Sequence, residues 1–208
     1  MAGEIPFRRD FAFEYGRSER LTPLIRRVVA RNASPFTFKG TGTYIIGQGK
    51  VAVIDPGPKL QEHIDALLKA LDGETVTHIL ITHTHNDHSP AAAAIKAATG
   101  AKTYGFGPHG SGRPEERVGG QTEEGGDRDF VPDVTMREGD TVEGGGGSGP
   151  TWRMAAVETP GHTSNHLCFS LAEEATLFTG DHVMGWSTSV ISPPDGDMAA
   201  YMRSLNKL

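Results

Sequence analysis

Between positions 82 and 89 the chain reads Thr-His-Thr-His-Asn-Asp-His-Ser. His83, His85, Asp87 and His88 thus place four side chains able to hold a divalent cation within six consecutive positions. In extended backbone alternate residues point to one side, so His83, His85 and Asp87 are expected to converge. His88 follows as the chain turns, and reaches a neighbouring point. Imidazole and carboxylate together suit an ion such as zinc. A cation held this way can activate water and polarise a carbonyl or phosphoryl group, which is the chemistry of a hydrolase. Two shorter pieces add to it. Thr159-Pro160-Gly161-His162-Thr163 sets a histidine in a tight turn, and Gly180-Asp181-His182 sets a carboxylate after an apolar run. Each alone reads as a structural turn; together with the first motif they read as parts of one site.

The elements around these residues alternate between strand and helix. The run 36–47 and the run 51–54 read as paired strands turning at Gly47-Gln48-Gly49. Asp55-Pro56-Gly57 ends the second of them. Leu60, Ile64, Leu67, Leu68 and Leu71 recur at helical spacing over 58–71, with Gly73 as a stop. A short buried strand at 77–82 leads into the first motif. An alanine-rich helix at 90–99 follows, with Ser89 as its N-cap, Pro90 in its first turn and Gly100 closing it. Residues 101–104 are again strand-like. The stretch 110–149 is glycine-rich and reads as a surface loop, a strand pair within 130–142 and a hairpin tip at 144–147. Strands are expected at 152–158, 166–171 and 176–179. Residues 25–30 fit either a helix after Thr22-Pro23 or, through Val28 and Val29, a strand.

The order HxHxDH, TPGHT and a strand ending in Gly-Asp resembles the metallo-β-lactamase superfamily. The stretches SPFTFKGTGTYIIG, TPGHTSNHLCF and LFTGDHVMGW are most similar to an endoribonuclease-like subgroup near glyoxalase II. The resemblance covers residues 24–208. It implies an α/β fold, an αββα four-layer sandwich, and makes 25–30 a strand. It implies two zinc sites, the first held by His83, His85 and His162, the second by Asp87 and His88, with Asp181 bridging. It implies a hydroxide held between the metals as attacking group, with Asp87 accepting and orienting its proton. Asp55 would support the metal-bound histidines, or serve only as a turn residue. His166 would line the substrate pocket or bond to backbone, and His182 would pack or support the site from behind.

The family supplies a further histidine beyond the last helix, and the sequence stops at Leu208. A helix capped by Asp197, with Met198, Tyr201, Met202, Leu205 and Leu208 as an apolar stripe, runs to that end. The expectation is a single domain over 1–208 whose C-terminal end is incomplete and whose second metal site is weakened.

Composition bounds the rest. The net charge of −6 gives no general pull toward nucleic acid, although Arg8, Arg9, Arg17, Arg20, Arg26, Arg27 and Arg31 keep an RNA substrate open. Cys168 is the single cysteine, so no internal disulfide forms, and it reads as inert packing. No signal sequence and no membrane span is visible, so a cytoplasmic protein acting on a small molecule is expected. The first choice of substrate is an ester, thioester or lactone. The alternatives are a mononuclear iron persulfide dioxygenase using His83, His162 and Asp181, a metal-binding endoribonuclease-like protein, and an inactive fragment.

Overall fold

The computed structural model describes residues 5–113, 125–146 and 149–208. Residues 114–124 of the expected surface loop and residue 147 of the hairpin tip expected at 144–147 lie outside the described residues, and 144–146 belong to a strand instead. Two sheets face each other. The first has seven strands in chain order: β1 (Glu19–Arg20), β2 (Ile25–Val29), β3 (Gly42–Gln48), β4 (Lys50–Ile54), β5 (Thr75–Leu80), β6 (Lys102–Gly105) and β7 (Val134–Thr135). Strands β1 to β4 pair antiparallel, and β4 to β7 pair parallel. The second sheet is an antiparallel meander of β8 (Thr141–Gly146), β9 (Gly149–Glu158), β10 (Leu167–Leu171) and β11 (Thr176–Phe178).

The parallel strands need crossovers, and helices supply them. Helix α1 (Gln61–Ala70) joins β4 to β5, and α2 (Ala92–Thr99) joins β5 to β6. They cover the outer face of the first sheet, burying Ile64, Leu67 and Ile95 against Val28, Ile45, Val53 and Ile79. Strand β4 is buried on both faces from Val51 to Ile54, as a central strand between two layers must be. A second core fills the space between the sheets, with Ile46, Ile54 and Leu80 facing Trp152, Met154 and Phe169. Trp152 Nε1 crosses from β9 to donate to the Lys50 carbonyl at 3.0 Å. Gly47, at φ 96°, makes room for it: a Cβ there would lie 2.4 Å from that indole nitrogen. Helix α3 (Met198–Leu205) starts at Asp197, whose carboxylate accepts from Ala200 N at 2.7 Å, and packs on the Pro160–Gly161 turn.

Three local expectations change. Residues 35–39 form a turn set by Ser34 Oγ, so β3 begins only at Gly42. Ser89 does not cap α2. Its hydroxyl bonds to Asp127 at 2.6 Å, and the residue before the helix is Ala91. The expected strand pair within 130–142 is two strands of different sheets, because the chain crosses from one sheet to the other between β7 and β8. The apolar stripe expected on α3 leaves Met198, Met202 and Leu208 at least half exposed, which changes no expectation.

Candidate metal centre

Both sheets send residues to one edge. Strand β5 ends at Leu80, and the backbone carries His83 and His85 out beyond it. The two rings converge, His83 Nε2 standing 3.0 Å from His85 Nδ1. Alternation stops there, since residues 86–88 turn. Asp87 therefore does not join His83 and His85, contrary to the extended-backbone expectation, and faces His88 instead.

From the second sheet, the turn after β9 brings His162 Nε2 to 2.9 Å from His85 Nδ1. The turn after β11 brings in Asp181, with Oδ2 3.7 Å from His162 Nε2. One ligand atom from each of His83, His85, His162 and Asp181 lies within 4.8 Å of the others, so this group could hold a metal ion. Beside it, His88 Nε2 faces Asp87 Oδ2 at 3.3 Å and Asp181 Oδ1 at 3.4 Å. Asp181 thus turns one carboxylate oxygen toward each cluster.

The supporting groups fix these rings. Asp55 has a left-handed backbone at φ 49°, which is strained for a non-glycine residue. Its carboxylate takes the Thr82 N–H at 2.8 Å, the Thr82 hydroxyl at 2.7 Å and His88 Nδ1 at 2.9 Å. It therefore orients His88 directly, and His83 through Thr82, whose hydroxyl lies 3.0 Å from His83 Nδ1. His162 Nδ1 donates to the Val190 carbonyl at 2.6 Å. Ser189 Oγ donates to the Asp181 carbonyl at 2.6 Å. Thr41 Oγ1 donates to Asp87 Oδ2 at 2.8 Å. Ser164, just past His162, is held by the buried Asp195, which pairs with Arg113 at 2.7 Å.

Electrostatics divides the cluster. Burial, and then the neighbouring imidazoles led by His88, push the pKa of His83 well down and keep it neutral. Burial also lowers His162. For His88 burial opposes charge, but Asp87, Asp181 and Asp55 outweigh it and hold the imidazole protonated well above its usual range. Burial likewise opposes ionisation of Asp87, yet His88 and Thr41 hold it well below the usual carboxylate range. His83 and His162 turn Nε2 to one point and are anchored at Nδ1 by Thr82 and the Val190 carbonyl, which is how a metal-binding imidazole is held. With His85 and Asp181 completing the group, the donor set fits the implied metal.

His166 lies behind His83, stacked at 5.0 Å between ring centroids, with Nδ1 2.8 Å from Thr159 Oγ1. It is not among the residues lining the cavity beside the site. His182 turns away from the cluster and packs on Tyr201 at 4.7 Å. Cys168 is buried, and burial raises its thiol pKa to about 11, in keeping with inert packing. Thr41, Thr82, Ser189 and Val190 were not singled out by sequence reasoning. Thr82 adjoins the first motif, whereas Ser189 and Val190 belong to no motif.

A cavity of about 600 Å³ opens beside Asp87, His88 and Asp181 and extends to Arg27, Tyr44 and Trp186. Several N-terminal arginines are already paired: Arg17 with Glu14, Arg26 with Glu74 and Arg27 with Glu19. Among the described residues no helix is long and apolar enough to cross a membrane.

Residues 37–208 match the Metallo-beta-lactamase superfamily. The lactamase-like protein aptB of Emericella nidulans is 32% identical over 99% of this chain and 62% of its own length. An atrochrysone carboxyl ACP thioesterase of Claviceps purpurea is 31% identical over 91% of this chain and 54% of its own length. The chain thus spans less than two thirds of these relatives. Among solved structures, a beta-lactamase domain protein from Burkholderia ambifaria superposes with a TM-score of 0.67 at 20% identity, covering 95% of this chain and 65% of that one. ETHE1 from Myxococcus xanthus superposes with a TM-score of 0.61 at 24% identity, covering 89% and 69%. Two facing sheets, a histidine-rich turn at the end of a buried strand and a profile match over most of the length agree: this chain belongs to the metallo-β-lactamase superfamily and has its fold.

Proposed function

We propose that the protein is a dinuclear zinc hydrolase of thioesters. The observation that carries this is the meeting of His83, His85, His162 and Asp181 within 4.8 Å, beside His88 and Asp87. The first group would hold one ion, Asp87 and His88 the second, and Asp181 would serve both. When bound, such ions supply Lewis acidity and lower the pKa of water. The chain's own residues do the rest. Asp55, Thr82 and Val190 hold the histidine rings in place. Asp87 Oδ2 is occupied by Thr41 and faces His88, which leaves Oδ1 to accept a hydrogen bond from an attacking water and aim it. Water adds at the acyl carbon, the C–S bond breaks, and a carboxylic acid and a thiol leave.

Relatives at 31–32% identity carry lactamase-like and thioesterase names, which supports this choice among esters, thioesters and lactones. An endoribonuclease-like or glyoxalase II-like kinship remains a reading of the sequence motifs alone. A mononuclear iron site of His83, His162 and Asp181 is less well supported, because His85 Nδ1 stands within 3.0 Å of both histidines. The test is metal analysis of the purified protein, with a panel of thioesters, esters, lactones and phosphodiesters assayed with and without chelator. The expected result is close to two zinc per chain and chelator-sensitive thioester hydrolysis. Iron with oxygen uptake on a persulfide, or cleavage of phosphodiesters alone, would overturn it.

A further inference from the structure

The cavity beside the metal centre is lined by two unlike groups. Asp87, His88 and Asp181 are one, and Arg27 and Tyr44 are the other. Tyr44 pairs with Ile54 across β3 and β4, one residue before Asp55, so its ring lies between the sheets. It packs edge-on against Phe178 at 5.1 Å, which fixes where the hydroxyl stands. Burial, the largest influence, raises the phenol pKa, so the group is a neutral donor. The Arg27 guanidinium bears on the same oxygen.

The Tyr44 oxygen accepts from the Arg27 side chain, which leaves its O–H to donate into the cavity that the residue lines. Arg27 is held in position by Glu19 at 2.8 Å and by the ring of Phe11 at 5.0 Å, and its buried Nε has no partner. Gly42 leaves space over both groups. A Cβ there would stand 3.5 Å from Arg27 Cδ and 3.7 Å from the Tyr44 hydroxyl, and would fill that part of the cavity.

We propose that Tyr44 and Arg27 form a substrate subsite for an acidic oxygen, a carboxylate or phenol, carried by the acyl group away from the carbon that is attacked. A donor facing a cavity selects an acceptor atom, and a fixed cation beside it favours one bearing negative charge. The cavity volume is that of a small-molecule site. The subsite rests on the thioester reading only for the choice of probes.

The experiment compares matched N-acetylcysteamine thioesters, glutaryl against pentanoyl and 3-hydroxybenzoyl against benzoyl, on wild type, Tyr44→Phe and Arg27→Gln. The two pairs distinguish a carboxylate from a phenol. Binding of the corresponding non-hydrolysable amides is measured by calorimetry, so the subsite is read without turnover. Wild type should prefer the oxygen-bearing member of at least one pair by roughly ten- to a hundred-fold. Each variant should bring that ratio close to one. Equal use of both members of both pairs by wild type, or a ratio that neither variant changes, would overturn the subsite. If no thioester is hydrolysed, the thioester reading fails while the amide ratios still decide the subsite. Tyr44→Phe keeps the ring against Phe178, so it decides the matter should Arg27→Gln not fold.

Discussion

The first sheet delivers its site residues from one continuous stretch, His83 to His88 beyond β5, with Asp55 alongside at the end of β4. The second sheet delivers single residues, His162 after β9 and Asp181 after β11. In the first case local backbone geometry sets the rings relative to each other. In the second, nothing local brings His162 to within 2.9 Å of His85, 77 residues earlier. That distance is set by how the sheets pack. A compact ligand stretch can be specified by a strand end and a turn, while a ligand from the opposite sheet depends on the whole intervening core.

The most severe test is to remove one ligand from each side. His83→Ala and His162→Ala should each reduce activity by more than about a hundred-fold and release metal from the first site. Metal analysis and chelator-sensitive hydrolysis would show it. Full activity in His162→Ala would mean that the second sheet does not share in the centre.

The packing between the sheets can be loosened far from the site. Trp152→Ala removes the buried indole that bonds Lys50 across the interface, and should cost about 3–5 kcal/mol of stability in urea unfolding. Metal affinity should fall with it, because His162 and Asp181 ride on the displaced sheet. A stable variant with unaltered metal binding would break the link drawn here between core and centre.

A third test loads one half with charge. His63 on α1 is buried against Thr43, and burial pushes its pKa down to about 4 from an ordinary value of 6.5. The unfolded chain binds the proton first, so stability falls as pH drops from about 6.5 to about 4, by at most about 3 kcal/mol. Above that window this residue contributes no pH dependence. His63→Gln should flatten that part of the stability profile measured by thermal melting between pH 4 and 7.

The smallest effect is expected at Ser189→Ala. It removes the hydroxyl that holds the Asp181 carbonyl and should weaken metal binding by about ten-fold, with little change in melting temperature.

The same contrast explains what the sequence made legible. The 82–89 motif declared its ligands through residue type and spacing, and α1 through its leucine periodicity. Strand alternation predicts that Asp87 converges with His83 and His85, but residues 86–88 turn, and spacing alone does not mark where extended backbone stops. Ser89 looked like a cap because residue type fits that role, but Asp127, 38 residues later, claims its hydroxyl. The strand pair within 130–142 failed because hydrophobic pattern identifies strands and not the sheet each joins. His166 could not be placed, since stacking behind His83 is a matter of tertiary packing.

The hydrogen bonds at Ser189 and Val190 bear on how a mutational scan of this protein would look. Neither position carries a metal-binding side chain, yet one braces Asp181 and the other accepts the hydrogen bond of His162 Nδ1–H. Val190 acts through its carbonyl, so most replacements there should be tolerated, whereas an inserted or deleted residue between 183 and 190 should be as damaging as loss of a histidine. The sensitivity of this segment would lie in its length more than in its letters.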